Sequence, residues 1–226
     1  MKRVITVLLA VLLVLSLAAC GSRVETKKLA GTWTCTIDVT DRMNAAAEQA
    51  LGLSAADGAA KMPLQLVLTV TEDGAYTLRY DSDAARTALD AYAAALHPAA
   101  VESVYAAAEE QGLSREEYDA AMEKAGITMD DMVAAIFAGV DEEELLSLLT
   151  GRSAALTGYC RAEGGQLYLA DTAAELAETA DCLSYTLSDG TMTWTDAQGE
   201  LSSQLTEQEQ ELLRVPLTWT KQEESK

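Results

Sequence analysis

Four cysteines and one histidine are the strongest potential ligands and nucleophiles in this chain, and their placement decides which chemistry is open to it. His97 stands directly before Pro98 and reads as a polar residue at a helix junction. No serine lies in a Gly-x-Ser-x-Gly elbow and no Cys and His pair has a local signature, so nucleophilic hydrolysis lacks both nucleophile and base. Cys35, Cys160 and Cys182 are odd in number and have none of the spacings of a metal site or a redox pair. The run Asp141, Glu142, Glu143, Glu144 lacks the alternating oxygen ligands and central glycine of a calcium loop, and reads as a charged first turn of a helix, favoured by the macrodipole. Among 36 acidic residues some pair of carboxylates at glycosidase spacing arises by chance, so such a pair carries no weight. Glycine-rich phosphate cradles are absent. No catalytic residue, metal site or cofactor is expected, and the one constellation of interest is aromatic: Trp33, Tyr76, Tyr80, Tyr159, Tyr185, Trp194 and Trp219.

Cys20 belongs to a different chemistry. Lys2 and Arg3 precede an uncharged apolar run, Val4 to Ala19, which is the layout of a secretory signal. The run is shorter than the roughly 20 residues a transmembrane helix requires. Its end, Leu17, Ala18, Ala19, Cys20, resembles the lipobox of bacterial lipoproteins. That resemblance implies cleavage after residue 19, diacylglycerol on the Cys20 thiol, and a domain held at the outer face of the cell membrane. Two or three acyl chains exceed the marginal binding of one, so the anchoring is expected to be stable. Residues 21–28 read as a short tether.

The elements that must position the aromatic set are strands. Gly31 to Val39 alternates, with Trp33, Cys35, Ile37 and Val39 on one face, and Leu64 to Thr71 repeats the pattern. Glu72, Asp73 and Gly74 then make a turn into Tyr76, Leu78 and Tyr80. Thr157 to Arg161 and Gln166 to Ala170 flank Glu163, Gly164 and Gly165; Cys182 to Leu187 and Thr191 to Thr195 flank Ser188, Asp189 and Gly190. A last strand carries Val215, Leu217 and Trp219, with Pro216 on its outward face. Eight short strands joined mostly by tight turns suggest a closed antiparallel barrel or a sandwich. Alternation puts Cys160 and Cys182 on the outward face and Cys35 inside, and no bridge between Cys160 and Cys182 is expected.

Helical periodicity separates the strands. Thr40 to Leu51 predicts a short helix ended by Gly52, and residues 82–151 break into about five helical pieces. Ser82 and Pro98 open the first two, Ser114 with Glu117 forms a capping box, and Thr128 with Asp131 and Asp141 with Glu144 are weaker versions. Residues 83–144 hold 15 acidic and 3 basic residues, a net charge of −12. Alanine-rich helices bury less apolar area than leucine-rich ones. The insertion is therefore the more mobile half, resting on the barrel through residues including Leu89, Tyr92, Leu96, Val104 and Phe137.

Leu29 to Trp33, Glu72 to Tyr76, Gly158 with Tyr159, Leu183 to Tyr185 and Met192 to Trp194 together resemble lipocalin-like lipoproteins of gut-type Gram-positive bacteria. In that group a GTW strand opens a small antiparallel barrel, an Asp-Gly-Tyr hairpin follows and later strands close it. The resemblance implies an α+β protein, an eight-stranded lipocalin-like barrel (residues 29–82 and 152–220) with an acidic helical bundle (83–151) inserted after the third strand, and a six-residue tail, 221–226. It implies ligand binding or interaction, with the seven aromatics as candidate ligand contacts. A filled interior is preferred to a pocket.

Without residues 1–19 the chain keeps 14 basic and 36 acidic residues, so its net charge is −22. That excludes nucleic acid as a partner. The readings that remain are ranked. First is a non-enzymatic anchored lipoprotein binding a small apolar or amphipathic ligand, second an interaction module whose helices meet another envelope protein, and last a carboxylate-dependent hydrolase.

Overall fold

The computed structural model describes residues 25–53, 61–138, 155–179, 181–198 and 214–223. Residues 1–24, which include Cys20 and the expected leader, lie outside them, as does the expected helical segment that starts at Asp141.

Eight strands form: β1 (Gly31–Asp38), β2 (Pro63–Val70), β3 (Ala75–Tyr80), β4 (Leu156–Glu163), β5 (Gln166–Ala170), β6 (Cys182–Ser188), β7 (Thr191–Gln198) and β8 (Leu217–Lys221). They pair in sequence order, and β8 returns to β1 with Trp33 opposite Lys221, so the sheet closes into an antiparallel barrel. The fold is α+β and lipocalin-like, with helices inserted after the third strand. Period-two burial produces it: Leu64, Leu66, Leu68 and Val70 of β2 are all buried while Thr69 is exposed. Between β4 and β5, Gly164 and Gly165 both have positive φ (60° and 79°), as do Asp189 and Gly190 (45° and 76°) between β6 and β7. Two-residue turns of that hand match the twist of the strands they join. Tight turns thus follow β2, β4 and β6, all at one end of the barrel, and the long connections leave from the other.

Residues 25–29, preceding β1 at the tight-turn end, form a helical turn bonded to the barrel, which corrects the expectation of a tether for residues 25–28. Thr26 Oγ1 accepts the Ala162 amide at 3.0 Å and the Glu25 carboxylate accepts the Gly164 amide at 2.8 Å. The Leu29 carbonyl takes the Trp33 indole N–H at 2.7 Å, and Lys221 Nζ lies 5.3 Å from the centre of the Trp33 ring.

Four α-helices lie among the described residues: α1 (Thr40–Leu51), α2 (Ser82–Glu110), α3 (Arg115–Ala125) and α4 (Met129–Phe137). Asp81 caps α2 by accepting from the amides of Asp83 and Ala84, and the capping boxes Ser114/Glu117 and Thr128/Asp131 start α3 and α4 as expected. The expected second start at Pro98 is corrected, since α2 runs through that residue to Glu110. A proline inside a helix costs about 3 kcal/mol. Here one buried stripe, Ala85, Ala88, Tyr92, Leu96, Ala100, Val104 and Ala108, continues on both sides of it and offsets that cost. Leu53, Ala100 and Val133 form a buried cluster against which Leu51, Val101, Ile136 and Phe137 pack.

Among the described residues the chain divides into two compact units, one made of 25–35, 66–80 and 155 onward, the other of 36–53, 61–65 and 81–138. The first holds most of the barrel. The second holds the four helices, with the adjoining ends of β1 and β2.

Candidate ligand site

Strand alternation delivers most of the aromatic set to the barrel interior. Trp33, Trp194 and Trp219 are 1, 5 and 0 % exposed, and Met192 beside them is 0 %, so a water-sized sphere finds almost no room against these side chains. The rings of Trp194 and Trp219 lie 4.8 Å apart, tilted by 48°, and neither indole N–H has an acceptor among the described residues. Tyr76 and Tyr80 share the inward face of β3 with buried Leu78 and stand opposite buried Val70 and Leu66 of β2. Tyr185 is half-buried, and burial, then the nearby Glu25 carboxylate, hold its phenol above the usual range.

Tyr159 and Cys160 are corrected. Gly158, Cys160 and Ala162 are the buried face of β4, which puts Cys160 inside and Tyr159 on the opposite face. The reason is steric. A Cβ on Gly158 would meet Tyr76 Cε1 and Oη at 2.9 Å, so the interior at this level is already occupied by the Tyr76 ring. Desolvation pushes the Cys160 thiol up to about 12. Burial raises Cys35 likewise, opposed by a hydrogen bond with the backbone of Thr218. Cys182 is buried although its parity is outward; its thiol donates to Gln166 Oε1 at 3.4 Å, and desolvation, then Asp181 and Asp196, keep it protonated. All three thiols are free, and a protonated thiol is a poor nucleophile and metal ligand.

The helical unit has a cavity of its own, of about 230 Å³. Met43, Ala46, Ala47, Ala50 and Leu51 of α1 form one wall; Leu89, Asp90, Tyr92, Ala93 and Leu96 of α2 form the other, and Phe137 of α4 closes an edge. The gap follows from side-chain size. Three alanines on α1 and Ala93 on α2 stand where larger residues would interlock, and the flanking Leu89, Leu96 and Phe137 keep the helices apart. Tyr92 donates to Asn44 Oδ1 at 2.7 Å, which satisfies its hydroxyl and leaves its ring as apolar wall. Asp90 is the one charged residue of the lining and is exposed at its rim. A cavity of roughly 150 Å³ lined by apolar side chains stays dry and accepts a benzene-sized guest. This one has room for a ring or a short alkyl segment.

The remaining polar contacts of the helices tie elements together. His97 Nε2 lies 3.1 Å from Asp130 Oδ1, linking α2 to α4 at the surface. Arg115 reaches Glu102 at 2.7 Å and Glu109 at 3.3 Å and stacks 4.6 Å from the Tyr105 ring, fastening α3 to α2. Among the described residues no three His, Cys, Asp or Glu side chains converge to hold a metal ion, and no helix is long and apolar enough to cross a membrane. The chain matches no protein-family model, no curated protein and no solved structure.

Of the cavity residues, Leu89, Tyr92, Leu96 and Phe137 were expected only as packing, and the α1 wall had no expected role. Its signal is the small-residue spacing Ala46, Ala47, Ala50, which becomes visible as a recess only once a second helix faces it.

Proposed function

We propose that this protein is a non-enzymatic lipoprotein, anchored outside the cytoplasm through Cys20, that binds a small apolar or amphipathic molecule, and that the apolar part of the ligand sits in the recess between α1 and α2. The observation that carries this reading is the recess itself: about 230 Å³, apolar apart from Asp90, and open at a rim where a polar head can stay in water. It is smaller than the roughly 300–1,000 Å³ of pockets that enclose whole drug-sized ligands, which favours capture of one end of an amphiphile.

Displacement of the neutral fluorophore N-phenyl-1-naphthylamine by a series of n-alkanols tests it. Affinity should rise about fourfold per methylene while the chain still enters the recess, then level off. Absence of saturable binding across the series would remove the ligand reading. Mass spectrometry of the mature N-terminus tests the anchor separately, because diacylglycerol on Cys20 is a fixed mass increment that a Cys20→Ser variant must lack.

A further inference from the structure

Only residues 21–24 lie between Cys20 and the first residue of the turn that grips the barrel. Five Cα-to-Cα steps span at most about 18 Å, whatever conformation they take. The turn is well fixed. Thr26 is 5 % exposed with its hydroxyl on the Ala162 amide, Glu25 holds the Gly164 amide, and Lys27 Nζ pairs with Glu72 Oε2 at 3.3 Å. Leu29, 1 % exposed, seals the turn against Trp33. Glu72 belongs to the β2–β3 turn and Gly164 to the β4–β5 turn, so residues 25–29 bind one end of the barrel at two of its hairpins.

We propose that this tight-turn end, carrying the β2–β3, β4–β5 and β6–β7 turns, is the membrane-facing surface of the protein, held on a lipid headgroup layer by the strap of residues 25–29. The inference rests on acylation of Cys20. Given that anchor, the Cα of Glu25 at the tight-turn end cannot lie more than about 18 Å from that of Cys20. Strands of eight residues measure about 26 Å, or roughly 20 Å along a barrel axis to which they tilt by about 40°. The opposite end therefore stands about one barrel height farther out unless the domain lies on its side. Tether length, and not charge, carries the placement: the exposed Lys27 and Lys28 of the strap stand among Glu25, Glu72, Asp73, Glu163 and Asp189 at the same end of the barrel.

The experiment uses the full-length acylated protein in vesicles of phosphatidylcholine and phosphatidylglycerol that contain a headgroup-chelated nickel ion. A nitroxide is placed at Glu72→Cys in the β2–β3 turn or at Ala155→Cys just before β4 at the other end. The three native thiols beyond Cys20 are buried, so mild labelling selects the introduced one. Nickel should relax the label at 72 several times more strongly than the label at 155. Inserting a roughly 15-residue glycine-serine linker after Gly21, with an r.m.s. span of about 20 Å, should erase most of the difference. Equal relaxation at both positions in vesicle-bound protein would overturn the orientation and leave the anchor standing. If the acylation-competent protein stays in the supernatant with the Cys20→Ser variant, the anchor fails and the orientation with it.

Discussion

Replacing Ala47 by leucine should make the protein more stable and a poorer binder at once. Ala47 is 6 % exposed and lines the recess on the α1 side. Leucine adds three carbons, each worth about 0.8 kcal/mol when moved from water into an apolar site, or about 2.4 kcal/mol together. Fixing its rotamers takes back about 0.5–1 kcal/mol. Helix propensity hardly enters, because leucine ranks next to alanine. The net is a gain of about 1.5 kcal/mol, read as a rise of about 3–6 °C in Tm or about 0.5–1.5 M in urea midpoint. Fluorophore binding should fall in the same variant, since the new side chain occupies the site of the guest. Were the space between α1 and α2 already packed, the same substitution would cost about 1–3 kcal/mol by overpacking. The sign decides: a lowered Tm with unchanged fluorophore binding refutes the recess, and with it the proposed ligand seat.

Three further outcomes follow from the barrel. The Cys160 thiol is raised from 9.0 to about 12 in the folded chain. Because the folded state holds that proton more tightly than the unfolded chain, the stabilisation is complete below pH ~9 and is lost as pH rises toward ~12, by on the order of 4 kcal/mol in all. Urea midpoints between pH 8 and pH 11 should therefore fall less steeply in Cys160→Ala than in the native chain, and parallel slopes would contradict the burial of this thiol. Thr26→Val leaves the Ala162 amide buried without its acceptor, a loss of about 1–3 kcal/mol that Thr26→Ser should largely avoid, as equilibrium unfolding can check. Gly158→Ala places a Cβ 2.6 Å from the Ala170 carbonyl oxygen and 2.9 Å from the Tyr76 ring. Since backbone cannot yield as a side-chain tip does, calorimetry should show destabilisation at the upper end of the ~1–3 kcal/mol range for overpacking.

Strand periodicity and turn chemistry carry most of the barrel in the sequence itself. Glu72-Asp73-Gly74, Gly164-Gly165 and Asp189-Gly190 all turn where their residue types say they should, and the strands between them appear in the expected order. The face of β4 was not legible. Tyr159 has the bulk of a core residue, and only the presence of the Tyr76 ring over Gly158 reverses the phase. Pro98 does not end its helix for a similar reason, because its local penalty is overridden by a stripe of burial that sequence periodicity shows only when read across the proline. The strap is not legible in the sequence, because Glu25, Thr26, Lys27 and Lys28 are polar and nothing local reveals that two of these side chains bond to amides more than 130 residues away. The recess is illegible on principle, since a cavity belongs to the fit between two helices and not to either one.

Placing the ligand seat among the helices also explains the alanine content of α1 and α2. Eight strands enclose an interior that side chains just fill, or that holds one small guest. With Trp33, Trp194, Trp219 and Met192 pointing inward and almost without exposure, little of that interior is left for a guest. The long connections at the other end of the barrel are under no such constraint. Helices faced with alanine gain less from burial than leucine-rich ones, which is a poor choice for stability alone but a direct way to leave a gap between helices that still touch. Tyr92, held to Asn44, Leu96 and the Leu53–Ala100–Val133 cluster keep α1, α2 and α4 together around that gap. Stability and vacancy are thus assigned to different residues of the same helices, and Ala47→Leu probes the second without disturbing the first.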